Sequence, residues 1–306
     1  MADTAQDAAS PEAAAVLEAA VLNPTDMALL RRLDLAHRQP ARGLFPGQRR
    51  SARSSRSPEF ADFRPYAAGD DIRQIDWRAY GRLDRLMLRT YVAEEEAAVN
   101  VVLDASSSMA LGDPPKWQAA RRLGAGLALL ALNAMDRAAV GVMGGGDVFT
   151  PHLRLGGGTS RLLDFVTRID PGGEAGPDQL ARLRWLRPGL TIVISDFLVE
   201  GSWEPALVAL GKAGQEAVLW QVLAPEEEAP QLRGDLRLVD AETGRRQEMT
   251  ITSRVLAEYR KALADLRQEL LRQATAAGGR FLHTSSADGL EATMLTALRA
   301  GVVRRS

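Results

Sequence analysis

Val99-Asn100-Val101-Val102-Leu103-Asp104-Ala105-Ser106-Ser107-Ser108-Met109 is an apolar run that ends in a carboxylate and a row of hydroxyls. A run of this kind is expected of a strand buried on both faces of a sheet. In an extended turn leaving the strand, alternate side chains share a face, so Asp104, Ser106 and Ser108 can converge on one point. Downstream, Lys116 to Met135 carries Trp117, Ala120, Leu123, Leu127 and Leu130 at helical spacing. Ala138 to Met143 is the second strand, and Gly144-Gly145-Gly146-Asp147 turns it into a third, Val148 to Leu153, as a hairpin. Gly156 to Ser160 opens a helix to Ile169, and a short helix is expected near Asp178 to Leu186. Leu190 to Ser195 is the fourth strand, Glu204 to Lys212 a helix, and Ala217 to Leu223 the fifth strand. A β-hairpin, Leu232 to Met249, turns at Glu242-Thr243-Gly244. The long amphipathic helix around Val255 to Leu270, a sixth strand at Arg280 to Thr284 and a helix from Leu290 to Val303 complete the pattern. Such alternation implies an α/β fold, a doubly wound and mostly parallel six-stranded sheet with helices on both faces.

Upstream the chain is less regular. Residues 1–24 are alanine-rich and read as a frayed helix or tail. Residues 25–96 hold a short helix marked by Met27, Leu30, Leu33 and Leu35, a basic serine-rich stretch from Arg42 to Ser57, and an aromatic and charged segment from Pro58 to Glu96. Residues 97–306 form the α/β domain, with the hairpin near 230–250 as an insertion.

Composition narrows the chemistry. With no cysteine, the chain can form no disulfide, thiolate zinc site or iron–sulfur cluster. Its three histidines, His37, His152 and His283, are scattered, which favours oxygen ligands for any metal, and His152 and His283 read as structural. Thirty-eight basic residues against 39 acidic ones give a net charge of -1, so no global field draws the chain to nucleic acid or to a membrane. A nucleic-acid contact would be confined to the basic segment 42–56. No apolar stretch reaches the roughly 20 residues that a membrane span needs. No basic and apolar leader is seen, and a cytoplasmic location is expected.

The fourth strand ends in Ile194-Ser195-Asp196, a second carboxylate in the position equivalent to Asp104. In a doubly wound sheet the first and fourth strands flank the reversal of strand order, where ligands bind outside the carboxyl ends. Gly156-Gly157-Gly158-Thr159 can add a further hydroxyl. Asp104, Ser106, Ser108, Thr159 and Asp196 then form a hard-oxygen set suited to Mg²⁺, with Ca²⁺ or Mn²⁺ as alternatives.

These residues resemble the metal-ion-dependent adhesion site of von Willebrand factor A domains, whose D-x-S-x-S motif is matched by Asp104, Ser106 and Ser108. Upstream, Glu59-Phe60, Arg64-Pro65-Tyr66, Gly69-Asp70-Asp71-Ile72-Arg73, Ile75-Asp76-Trp77-Arg78 and Arg89 to Glu95 resemble the signature of bacterial domain of unknown function family 58. The resemblance spans roughly residues 40 to 225 and implies a von Willebrand A-like fold after a family-specific segment. It implies that Ser106 and Ser108 ligate a metal directly, and that Asp104 and Asp196 act directly or through water, with Thr159 as a further ligand. Many family members are encoded beside MoxR-type AAA+ ATPases, so such an ATPase and a client protein are the implied partners. Others carry N-terminal membrane helices; this chain resembles the short soluble form.

The expectation is therefore a non-catalytic adaptor that helps an ATPase remodel, mature or metallate a client. An aspartyl-phosphate-type, Mg²⁺-dependent phosphohydrolase with Asp104 as nucleophile is the alternative enzyme. That chemistry wants a second acid two residues on, where Ser106 stands. Neither a phosphate-binding G-x-x-x-x-G-K-[ST] loop nor a G-x-S-x-G elbow is present.

Overall fold

A computed structural model describes residues 21–36, 44–45, 60–67, 70, 72, 75–92, 98–134, 136–144, 148–199 and 201–305. The expected N-terminal tail up to residue 20, nearly all of the basic stretch 42–57, the turn residues 145–147 and parts of the family-58 signature lie outside the described residues. Contacts divide the chain into two units, Arg38–Glu96 and a larger one formed by the residues before and after it. The helix that sequence grouped with the N-terminal segment therefore belongs to the larger unit.

That helix, α1 (Pro24–Leu30), starts in a capping box in which Asn23 and Asp26 exchange side-chain bonds with each other's backbone N–H at 2.8 and 3.0 Å. It does not continue through Leu33 as its leucine spacing suggests. Leu33–Leu35 is a strand, β1, with Leu33 and Leu35 both buried, because alternate leucines suit a period of two.

The smaller unit is an antiparallel sheet of β2 (Leu44–Phe45), β3 (Phe60–Pro65) and β4 (Met87–Val92), in the order β2-β4-β3, with helix α2 (Trp77–Leu83) between β3 and β4. Asp76 caps α2 by accepting from the backbone N–H groups of Arg78 (2.8 Å) and Ala79 (3.1 Å). One signature carboxylate thus has a structural task.

The larger unit continues with β5 (Ala98–Asp104), α3 (Lys116–Asn133), β6 (Arg137–Met143), α4 (Gly158–Arg168), α5 (Pro177–Arg182), β7 (Gly189–Ser195), α6 (Glu204–Lys212) and β8 (Gln215–Leu223). After the short α7 (Pro225–Glu228) come the hairpin β9 (Gly234–Val239) and β10 (Arg246–Ile251), then α8 (Ser253–Ala276), β11 (Arg280–Ser285), α9 (Leu290–Arg299) and β12 (Val303–Arg305). β12 pairs antiparallel with β1. The final helix stops short of Val303 because Gly301 takes a positive φ and turns the chain into that strand.

The central sheet is parallel, in the order β11-β8-β7-β5-β6. It has five strands rather than the expected six. Val148 to Leu153 runs antiparallel beside β6 but meets it only through isolated bridges, Gly141 with Phe149 and Ala138 with Leu153. Between them the Thr150 hydroxyl, not a carbonyl, takes the Val140 N–H, and Pro151 has no N–H to offer, so the ladder is broken.

Side chains alternate across the sheet and bury on both faces. Val99, Val101, Leu103, Ile192, Ile194 and Trp220 join the core under α1, α3, α4 and α9. Val102, Val193, Leu219 and Ala217 face the core under α5, α6 and α8. The chain runs from β5 to β6 on one side, then crosses to β7 on the other. β5 and β7 thus flank the switch point.

Pairing of those two strands begins at Gly189, opposite Ala98. Its φ is +143°, and a Cβ there would stand 2.1 Å from the Ala98 carbonyl oxygen. Gly189→Ala is expected to cost about 2 kcal/mol or more in urea unfolding. Gly211→Ala, with open space around the added Cβ, is expected to leave stability unchanged or raise it.

Candidate metal centre

The carboxyl ends of β5 and β7 hold Asp104 and the Ser195-Asp196 pair side by side. Ser195 Oγ donates to Asp104 Oδ2 at 2.5 Å, and the Ser106 N–H donates to Asp104 Oδ1 at 2.8 Å. The turn after β5 folds Ser106 and Ser108 toward each other, their hydroxyls 3.1 Å apart. It is held by a second loop: Ser107 N–H donates to the Gly173 carbonyl (3.0 Å) and Gly172 N–H to that of Ala105 (2.6 Å). Asp104, Ser106 and Asp196 are all at least 96% buried, at 3, 1 and 4% exposure.

The two carboxylates are balanced differently. Asp196 Oδ1 accepts from the Leu198 N–H, and its Oδ2 from the Lys116 ammonium at 2.7 Å. Lys116, fully buried at the start of α3, also donates to Glu227 on α7 at 2.5 Å. Burial alone would lower the lysine's pKa, but the charges of Asp196 and Glu227 outweigh it and raise the pKa. Among the described residues, Asp104 has hydrogen bonds but no cationic partner. Burial first, and the charge of Asp196 second, push its pKa from 3.8 up to about 6.

Four of the five expected residues come together. Thr159 does not. Leu153 pairs with Ala138, beside Val99 at the start of β5, and a Cβ on Gly158 would touch Leu153 at 3.1 Å. Thr159 therefore starts α4 at the opposite end of the sheet, about 16 Å from Asp104 at about 3.3 Å per strand residue. The loop that reaches the centre is the one after α4, around Gly172 to Glu174. A signal for this was present: an antiparallel return along β6 carries the chain back to the strands' amino ends, so only the next loop can face Asp104. Lys116 and Glu227 were also missed, because a lysine in a helix's first turn reads as solvated.

His152, as expected, is structural. Its Nε2 lies 2.9 Å from the side-chain oxygen of buried Asn100, and burial followed by the charges of Arg187 and Arg137 lowers its pKa to about 4.

Among the described residues no three His, Asp or Glu side chains form a metal-holding group. The donors on offer are two carboxylates and two hydroxyls, with no positive neighbour for Asp104 among the described residues. Asp104, Asp196 and Glu227 against Lys116 leave two negative charges, the amount one divalent cation neutralises. Hard oxygens and that balance fit Mg²⁺, Ca²⁺ or Mn²⁺.

The family described as "Protein of unknown function DUF58" matches residues 62–269. The chain belongs to the DUF58 family. It is 28% identical over 273 residues to uncharacterized protein Rv1480 of Mycobacterium tuberculosis and, to the same extent, to uncharacterized protein Mb1516 of Mycobacterium bovis, covering 85% of this chain and 84% of each relative. Among solved structures it is similar to the conserved hypothetical protein BatB of Bacteroides thetaiotaomicron, with a TM-score of 0.41 and 16% identity over 67% of this chain and 98% of that one. It is also similar to proximal thread matrix protein 1 of the mussel byssus, whose structure has a zinc-occupied MIDAS motif, with a TM-score of 0.43 and 15% identity over 69% of this chain and 48% of that one. The DUF58 match takes in Asp104, Ser106, Ser108, Lys116, Asp196 and Glu227.

Two outcomes are expected without added divalent ions. Because the folded-state pKa of Asp104 lies above its unfolded value, this group favours folding below about pH 4, and the contribution is lost as pH rises through about 6. Asp104→Asn should remove that dependence, gaining roughly 2–3 kcal/mol on the wild type between pH 4 and 7 in urea unfolding. Lys116→Met should cost about 3–5 kcal/mol, since it strands Asp196 and Glu227; a loss under about 1 kcal/mol would mean that the pairs are screened by solvent.

Proposed function

We propose that this DUF58 chain is a non-catalytic protein-binding module whose centre, Asp104, Ser106, Ser108 and Asp196, holds a divalent cation for recognition of an acidic partner residue. The observation that carries the reading is the convergence of these four side chains at the sheet's switch point, with one buried carboxylate that has no counter-charge among the described residues. A bound cation would supply coordination positions for a carboxylate from another molecule. Ser106 and Ser108 are the hydroxyl donors, Ser195 orients Asp104, and Lys116 holds Asp196 in place.

The partner in this proposal is a MoxR-type AAA+ ATPase, with a client protein to be remodelled or metallated; the family resemblance supports it. The setting is the cytoplasm, where ATP is available. Among the described residues no helix is long and apolar enough to cross a membrane. For a phosphohydrolase, Asp104 would have to attack a phosphate ester. It is 3% exposed, both of its oxygens already accept hydrogen bonds, and no acid stands two residues on.

Affinity capture from the native host, with and without a chelator, tests the proposal. An ATPase should be recovered with the wild type only when divalent ions are present, and recovery should fall with Asp104→Ala and Ser106→Ala while circular dichroism is unchanged. Normal capture by both folded variants would rule out the adhesion role.

A further inference from the structure

The chain holds five tryptophans. Trp117, Trp185, Trp203 and Trp220 are buried, whereas Trp77, at the start of α2 in the smaller unit, is 64% exposed. An indole on average is highly buried, so this one stands out. Tyr80, one turn on, is exposed too, and its ring meets that of Trp77 edge to face with centroids 6.2 Å apart. Ile75 bridges Leu88 antiparallel, and Asp76 N–H donates to the Met87 carbonyl at 2.9 Å, which brings Trp77 level with Leu86, a third exposed apolar side chain. Gly81 follows Trp77 by four residues and shares its face. A Cβ at Gly81 would meet nothing within 4 Å. Glycine weakens a helix, and neither close packing nor a positive φ requires it here. Two rings, a leucine and open space thus lie together on one side of α2.

Cations border this patch. Arg78 and Arg82 stand four residues apart on the neighbouring face of α2, a spacing at which like charges destabilise a helix, and Arg85 follows the helix. All three are exposed, and among the described residues none is joined to a carboxylate. The acids that precede them are engaged by backbone: Asp70 accepts from the Ala67 N–H at 2.9 Å, and Asp76 caps α2. Within residues 77–86 only Asp84 opposes the arginines, which leaves a net charge of +2. Trp, Tyr and Arg are the side chains that dominate the energy of protein interfaces. Charge and shape select the occupant. Two copies of the chain joined through this patch would set arginines against arginines. A nucleotide strand would use the arginines and the rings but leave Leu86 and the space at Gly81 unfilled. An acidic protein segment that carries an apolar side chain uses all of them.

We infer that this side of α2 is a docking surface for an acidic protein segment, whose apolar side chain packs on Trp77, Leu86 and the space at Gly81 while its carboxylates meet Arg78, Arg82 and Arg85. The surface uses none of the residues of the cation centre, and it stands whether or not that centre holds metal. It gives the adaptor a second point of attachment, carried by its other unit.

Poly(Glu,Tyr), a random copolymer of glutamate and tyrosine, is the probe on the full chain, with poly-glutamate of equal length and oligo(dT) as comparisons. Because the other four tryptophans are buried, acrylamide quenching of tryptophan fluorescence reads Trp77. Anisotropy of the labelled polymers reads affinity. The copolymer should shield Trp77, bind about tenfold more tightly than poly-glutamate, and weaken as salt rises. Trp77→Ala, Gly81→Leu and the double variant Arg78→Ala with Arg82→Ala should each lower its affinity about tenfold, with circular dichroism unchanged. Failure of the copolymer to shield Trp77, equal affinity for poly-glutamate, or unchanged affinity in the folded arginine variant would overturn the proposal. Tighter binding of oligo(dT) than of the copolymer would make the patch a nucleic-acid surface instead. Shielding of Trp77 by raising the protein concentration alone would make it a contact between copies.

Discussion

Two carboxylates buried side by side at the ends of adjacent parallel strands are the constraint on which the larger unit depends. Removing an ion from water costs several kcal/mol even after relaxation, and a like charge alongside adds to the cost. The fold answers asymmetrically. For Asp196 it supplies Lys116, itself fully buried and shared with Glu227. For Asp104 the described residues supply only dipoles, from the Ser195 hydroxyl and the Ser106 backbone, and the remaining imbalance is the physical reason to expect a cation there.

Much of the surrounding structure serves this geometry. Gly189 lets β7 close against β5, which sets Ser195 beside Asp104. The 172–173 backbone pins the serine turn from the other side. Helix α3, with 13 of its 18 residues buried, fixes the lysine at its first position. Lys116 joins α3 to α7 through Glu227, and Tyr259 on α8 donates its hydroxyl to the Glu227 carbonyl at 2.6 Å. The chain therefore ties three helical elements to one pair of carboxylates.

Most of the sheet was legible because strands buried on both faces announce themselves as apolar runs, as at Val99 to Leu103 and Leu190 to Ser195. Two carboxylates following two such strands were enough to locate the centre. Thr159 misled because a glycine-rich loop reads the same at either end of a sheet; only the direction of travel through Val148 to Leu153 separates the ends. Lys116 stayed hidden for a related reason. Its importance lies in what tertiary structure sets opposite it, the buried Asp196, and no spacing in the sequence encodes that. The split of Leu30 from Leu33 and Leu35 into helix and strand was likewise decided by the partner strand β12.

The central claim is that a cation belongs among Asp104, Ser106, Ser108 and Asp196. Anomalous diffraction from crystals of the chain grown with Mn²⁺ tests it most directly. The account requires a manganese peak within coordination distance of oxygens from these residues. A protein crystallised with these side chains as described, carrying no manganese between them, would contradict it.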